Sequence, residues 1–208
     1  MMDLYQVVDR LTEALKNPLP GRLGQQEMAP LPLDDRRFGQ GKGKRQGAVL
    51  VLFYSGTDGC RVPFIKRPVY PGVHSAQVSL PGGKWDPSDP DLQATALRET
   101  SEEIGVFPEE VTVFGRLSHL YIPPSDFSVY PFLGYTEKPP LFQPDPREVD
   151  RLITCSFDHL TQKQTRKTAP IRAGSFTISA PYFDIDNEIV WGATAMILSE
   201  LLYLWENR

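Results

Sequence analysis

Residues 81–106 read PGGKWDPSDPDLQATALRETSEEIGV, a glycine pair followed by a helix with two unlike faces. At about 100° per residue, Glu99, Glu102 and Glu103 share one face, while Ala94, Leu97, Ser101 and Ile104 recur on the opposite face. A helix of this kind packs one side against a layer of structure and presents bare negative charge on the other. The sequence predicts Asp89 as N-cap with Pro90 in the first helical position, Asp91 at the positive end of the macrodipole and Gly105 as the stop.

Residues 48–54, AVLVLFY, form the kind of unbroken apolar run that a buried strand carries. Residues 62–66, after a turn at Gly59, predict its partner. More strands are predicted over residues 111–120, 129–135, 149–155, 176–180 and 181–183, and a last helix from about residue 192 to 205. A central acidic helix and a terminal helix around such strands give an α/β (α+β) class fold, an α/β/α sandwich on a mixed sheet. At the start of the chain, Leu4, Val7, Val8, Leu11 and Leu15 recur at helical spacing. They predict an amphipathic helix that packs on the domain or on a partner subunit, the second case making a homodimer. Residues 17–46, rich in Pro, Gly and charge, read as an extended arm, so residues 1–45 are a helix and arm and residues 46–208 the main domain. The N-terminus has neither a basic start nor a long apolar core, which argues against a secretory signal or a membrane span.

Three carboxylates at i, i+3 and i+4 repel one another, and only Arg98 is close enough in sequence to offset them. A merely solvated face gains from interleaved lysines, which are missing here. Hard divalent cations take oxygen ligands, so two or three carboxylates with a backbone carbonyl suit Mg²⁺ or Mn²⁺. Gly82 and Gly83 let backbone approach such an ion without side-chain obstruction. The net charge is −4 and the pI is near 5.4, which argues against a broad nucleic-acid or membrane surface and for small-molecule substrates. Cys60 and Cys155 have no metal-ligand spacing and suit a reducing, cytoplasmic setting.

The pattern of Gly83, Arg98, Glu99, Glu102, Glu103, Gly105 and Val106 resembles the Nudix box of the Nudix hydrolases, with Thr100 where an aliphatic residue is usual. The interval from Gly83 to Arg98 is one residue longer than the standard box, and Asp89 stands at the first glutamate, which in the family pairs with the box arginine. A longer box is similar to the coenzyme A diphosphatase branch. Arg67, Pro81, Gly82 and Gly83 agree with that branch, whereas Pro68, Gly72, Ala76 and Leu80 depart from it, Gly72 standing where the branch has arginine. Residues 191–195, WGATA, also resemble the branch, and the likeness runs over about residues 46–205.

The resemblance implies a Mg²⁺- or Mn²⁺-dependent hydrolase of a diphosphate linkage, with Glu99, Glu102, Glu103 and the Gly83 carbonyl as metal ligands. Its substrate would be coenzyme A or an acyl-coenzyme A, cut to phosphopantetheine and adenosine 3′,5′-bisphosphate. NADH, ADP-ribose and nucleotide sugars are the alternative substrates, and a regulatory module that binds a nucleotide without cutting it is the alternative outside catalysis. Glu99 or Glu148 is expected to accept the proton of the attacking water, and Arg98 to brace the glutamate row through Asp89 or Glu102. Arg67 and Lys66, at a strand end, are expected to hold diphosphate oxygens. His74, Gln77 and Gly82 are expected to line the pocket, and Tyr121 and Phe127 are candidates to stack on adenine or to join the core.

Overall fold

The computed structural model of the chain describes residues 1–30, 43–70, 75–173 and 176–207. The first helix, α1 (Leu4–Ala14), is opened by a capping box in which Asp3 accepts from Gln6 N–H and Gln6 reaches back. After it come α2 (Arg22–Gln25), β1 (Arg45–Gly56), β2 (Gly59–Lys66), β3 (Val78–Ser79), β4 (Gly82–Lys84) and α3 (Leu92–Ile104). The second half of the chain carries β5 (Val111–Arg116), β6 (Leu120–Ile122), β7 (Phe127–Thr136), β8 (Arg151–Ser156), α4 (Phe157–Leu160), β9 (Arg166–Ala173), β10 (Phe176–Ile185), β11 (Glu188–Trp191) and α5 (Gly192–Glu206).

The described strands form a mixed eight-stranded sheet, in which β1 runs parallel to β7 and antiparallel to β2 and β4. A second sheet has the order β11-β10-β9. The unbroken apolar run of β1 follows from burial on both faces. Val51 and Phe53 enter one core with α1 and α5, while Ala48, Leu50 and Leu52 enter a second core with Ala96 and Ile104 of α3. Helices therefore cover both sides of the sheet, and the predicted α/β/α sandwich with a mixed sheet is the observed architecture. The first helix buries Leu4, Val7, Val8 and Leu11 in the core it shares with α5.

Several expected boundaries change. The arm is not extended throughout: α2 and the 3₁₀ turn Gln26–Met28 pack on α5, burying Gln25, Met28 and Ala29. Residues 31–42 lie outside the described residues. Residues 111–120 hold all of β5, a short loop and the first residue of β6, because β5 stops at Arg116 after a register shift between Val113 and Gly115. Residues 176–183 belong to one strand, β10. At Pro181 only the β9 side is paired, since pairing to β11 begins at Tyr182, and a residue with no N–H is tolerated there. Strands β9 and β11 were not anticipated: β9 has neither an apolar run nor clean alternation, and the apolar run of β11 is only three residues long. Among the described residues, no helix is long and apolar enough to cross a membrane.

Candidate active site

The site forms where α3 crosses β4. Asp91, not Asp89, caps the helix, its carboxylate accepting from Ala94 N–H at 2.8 Å. Asp89 is committed elsewhere. It receives Arg98 in a two-pronged contact, Nε to Oδ1 at 2.8 Å and Nη2 to Oδ2 at 3.0 Å, and also accepts from Thr95 Oγ1 at 2.9 Å. The Arg98 guanidinium holds the Asp89 carboxyl well below the usual carboxylate range. At the other end Gly105 takes the left-handed conformation that closes the helix, φ +72°.

The packing face of α3 also differs from the expected stripe. Thr95, Ala96, Thr100, Glu103 and Ile104 are its buried residues, while Ala94, Leu97 and Ser101 are only half-buried. Thr100, at the aliphatic position of the box, turns its hydroxyl onto Ala96 O at 2.7 Å and so is accepted in an apolar layer.

The three glutamates sit at three depths. The side chain of Glu102 is 53% exposed and takes Arg98 Nη1 at 2.8 Å. That of Glu99 is 16% exposed, with Oε1 at 3.0 Å from the same Nη1. Glu103 is 1% exposed; its Oε2 accepts from Gly82 N–H at 2.8 Å, and its Oε1 lies 3.5 Å from Arg67 Nη2. The glycines make this possible. A Cβ on Gly83 would fall 2.3 Å from Glu99 Oε2, and a Cβ on Gly47 would fall 2.1 Å from Gly83 O, so bare backbone surrounds both the carboxylate and the carbonyl.

Burial pushes the Glu103 carboxyl up to about 7; the charges of Glu99 and Glu148 add to the rise, and Gly82 N–H and Arg67 oppose it. Glu99 is raised as well, first by burial and further by Glu102 and Glu148, against the pull of Arg98. Glu148 is therefore close enough to both for its charge to be felt, although its own segment is 45 residues downstream in chain order. That segment is docked by Gln143 N–H to Ile104 O at 2.9 Å and Asp145 N–H to Glu103 O at 3.1 Å, which cap the end of α3. This docking was not anticipated, because no motif marks it.

Other expected residues are divided between the site and its surroundings. Arg67 and Gly82 join it, Arg67 Nη2 also lying 3.4 Å from Gly82 O, and the Gln77 carbonyl accepts from Arg67 N–H at 3.0 Å. Lys66 is not brought in. It pairs with Glu188 at 2.8 Å, a carboxylate shared with Arg151, since successive side chains of a strand point opposite ways. His74 and Gly72 lie outside the described residues. Phe127 packs its ring over Gly47 and Tyr121 donates to Asp126 Oδ1 at 3.0 Å, so both serve local structure. Cys60 and Cys155 are buried, and desolvation pushes both thiols up to about 12. On the Arg98 side, a groove of about 480 Å³ is lined by Lys84, Trp85, Asp86, Ser88, Glu99 and Glu102, among others.

The donor set suits a hard divalent cation: carboxylate oxygens, two of them on largely buried side chains, beside a glycine carbonyl. Among the described residues, no three carboxylate, imidazole or thiol groups already converge on one point. Arg98 and Gly82 N–H hold the glutamates in the meantime.

The NUDIX domain family matches residues 44–175, well over half of the chain. The chain belongs to the Nudix family. Among curated Nudix relatives it is similar to the human mitochondrial coenzyme A diphosphatase NUDT8, 39% identical over 136 residues, 64% of this chain and 57% of that protein. It is also similar to the mitochondrial Nudix hydrolase 15 of Arabidopsis thaliana, 34% identical over 181 residues, 84% of this chain and 62% of that protein. The chain thus spans about three-fifths of the length of these relatives. The Nudix fold is shared with a MutT/nudix protein from Enterococcus faecalis at a TM-score of 0.54 and 15% identity, over 98% of this chain and 75% of that one.

Proposed function

We propose that the chain is a Mg²⁺- or Mn²⁺-dependent diphosphatase acting on a nucleoside diphosphate derivative, with coenzyme A or an acyl-coenzyme A as substrate. The observation that carries this reading is the placing of the largely buried Glu99 and Glu103 against the bare backbone of Gly83 and Gly82, Glu99 in the space that Gly83 leaves open and Glu103 on Gly82 N–H at 2.8 Å. The relatives named as coenzyme A diphosphatases support the substrate class. Glu99, Glu102, Glu103 and the Gly83 carbonyl would hold the metal, which when bound neutralises diphosphate oxygens and makes a bound water more acidic.

The chain's own residues do the rest. Glu99 or Glu148 accepts the proton of the attacking water, whose oxygen bonds to one phosphorus while the bridging oxygen leaves with the other phosphate. Arg67, next to Glu103, faces diphosphate oxygens, and Arg98 braced on Asp89 keeps Glu99 and Glu102 in register. The products are phosphopantetheine and adenosine 3′,5′-bisphosphate. Residues 46–208 carry this chemistry and residues 1–45 are the N-terminal helix and arm that precede it, in a cytoplasmic setting suited to two buried free thiols.

A second substrate class, NADH, ADP-ribose or nucleotide sugars, is favoured by Gly72, which stands where the coenzyme A branch has an arginine. A non-catalytic nucleotide-binding module is disfavoured by retention of all three box glutamates. The test is hydrolysis of coenzyme A, acyl-coenzyme A, NADH, ADP-ribose and nucleotide sugars with Mg²⁺ or Mn²⁺ in ¹⁸O-water, read by mass spectrometry. Glu102→Gln is expected to lower turnover by about 100-fold or more with the fold intact. Near-normal turnover in that folded variant overturns its assignment as a ligand, and binding without product across the whole panel overturns the enzyme reading.

A further inference from the structure

The groove beside Arg98 is lined in part by Trp85, a large and partly exposed aromatic. Trp85 is 39% exposed and meets no ring or cation among the described residues. Water-facing indoles are common on loose loop tips, but the backbone that carries this one is held. Its backbone N–H donates to Gln46 O at 2.9 Å, and the preceding carbonyl, Lys84 O, accepts from Arg98 Nη2 at 3.2 Å. Beyond it, Asp86 N–H donates to Asp89 Oδ2 at 3.1 Å, and Asp86 Oδ1 accepts from Ser88 N–H at 2.9 Å and Ser88 Oγ at 2.6 Å. The same Arg98 that braces the glutamates therefore also pins the strand end that carries Trp85. Lys84 is exposed and makes no ion pair among the described residues, so a positive charge stands in a groove whose other wall is Glu99 and Glu102.

We propose that Trp85 is the stacking platform, and Lys84 the phosphate-facing cation, of a purine-nucleotide subsite in this groove. The inference rests on the diphosphatase reading for where the diphosphate lies, and adds which half of the substrate lies toward Trp85. Glu99, Glu102 and Trp85 line the same groove, so a nucleoside diphosphate bound there has its diphosphate at the carboxylates and its base at Trp85. A flat heteroaromatic base gains from an exposed indole on a fixed backbone, whereas a flexible aliphatic arm offers no matching plane. Lys84 offsets the repulsion that the carboxylate wall exerts on a phosphate, and a single lysine acts there as a point charge rather than a fork.

The test measures binding, not turnover, on the full chain by calorimetry and tryptophan fluorescence, with Mg²⁺ and again with EDTA. The probes are ADP and inorganic pyrophosphate. Trp85→Ala is expected to raise the Kd for ADP about tenfold, within the range a lost base stack produces, and to leave the Kd for pyrophosphate unchanged. Trp85→Phe keeps a ring and is expected to bind ADP within about threefold of the parent while losing most of the ADP-induced quenching. Lys84→Ala is expected to weaken both probes. Three results overturn the proposal: no ADP binding by the parent chain, equal weakening of ADP and pyrophosphate by Trp85→Ala, or undiminished quenching in Trp85→Phe. The last arm still decides if Trp85→Ala fails to fold. Hydrolysis of the substrate panel without Trp85-dependent ADP binding sinks the subsite and leaves the diphosphatase; Trp85-dependent binding without hydrolysis does the reverse.

Discussion

Replacing Gly83 with alanine separates the chemistry of this site from its fold. The new Cβ would lie 2.3 Å from Glu99 Oε2, 2.4 Å from Glu99 Cδ and 2.6 Å from Glu99 Oε1, against the 3.4 Å or more of an ordinary contact. The carboxylate must therefore withdraw by about 1 Å, a displacement that costs on the order of 100-fold when the group positions a reacting atom. All three of those atoms belong to the tip of one side chain, which can rotate, so the backbone of β4 and β1 stays in place. Stability is expected to drop by less than about 1 kcal/mol while kcat falls about 100-fold. Gly82→Ala is the contrasting case. Its φ is +145°, and its Cβ would fall 2.3 Å from Ala48 O and 2.5 Å from Val49 Cα, both backbone atoms of the central strand. That variant is expected to lose several kcal/mol, about 3 or more, or to fail to fold. The assay pairs steady-state hydrolysis of coenzyme A in Mg²⁺ with thermal melting of each variant. A folded Gly83→Ala chain with kcat within about threefold of the parent would refute the reasoning, because Glu99 would then have moved without consequence.

Three further outcomes follow from buried polar groups. Glu103, raised to about 7 from an ordinary value of 4.5, contributes stability that is fully present below pH 4.5 and is lost as pH rises through 7. The metal-free parent should lose about 3 kcal/mol relative to Glu103→Gln across that window; urea midpoints from pH 4.5 to 8 that track each other would contradict this. Glu200, with no exposed surface, accepts from Gly21 N–H at 3.2 Å, Ser118 N–H at 3.1 Å and Gln25 Nε2 at 2.8 Å. Glu200→Ala strands those donors and should lower Tm by about 6–12 °C, with Glu200→Gln losing less than half as much; calorimetric scans decide it. Thr100→Val removes a hydroxyl bonded to Ala96 O, leaves no stranded donor and should change stability by less than about 1 kcal/mol in a urea titration; a loss above about 2 kcal/mol would mean that the hydroxyl holds the helix.

Much of the layer architecture was legible because the periodicities are local. The apolar run of β1 and the stripe of α1 state their burial directly, and both enter the cores expected of them. Strand β9 was not legible, since a strand of mixed composition is defined by its partner rather than by its own residues, and β11, at four residues, is too short to state its pairing alone. The N-cap was misplaced by two residues for a related reason. Asp89 and Asp91 are equally good caps in sequence, and only the approach of Arg98 and Thr95 in space commits the first to an ion pair. Lys66 and Arg67 show the same limit: two adjacent cations at a strand end look alike until the pleat sends one to Glu188 and the other towards Glu103.

The sequence by itself determined that three glutamates follow a glycine pair at helical spacing, because one turn of helix converts that spacing into proximity without help from the rest of the chain. It did not determine that the three are unequal. Tertiary packing buries Glu103 under Gly82 N–H, leaves Glu102 in solvent with Arg98 and fits Glu99 into the space that Gly83 leaves open. It also sets Glu148 within reach of their field from a distant segment. Depth, and with it the raised pKa of Glu99 and Glu103, depends on what covers the helix, and that is decided by contacts between residues far apart in the chain.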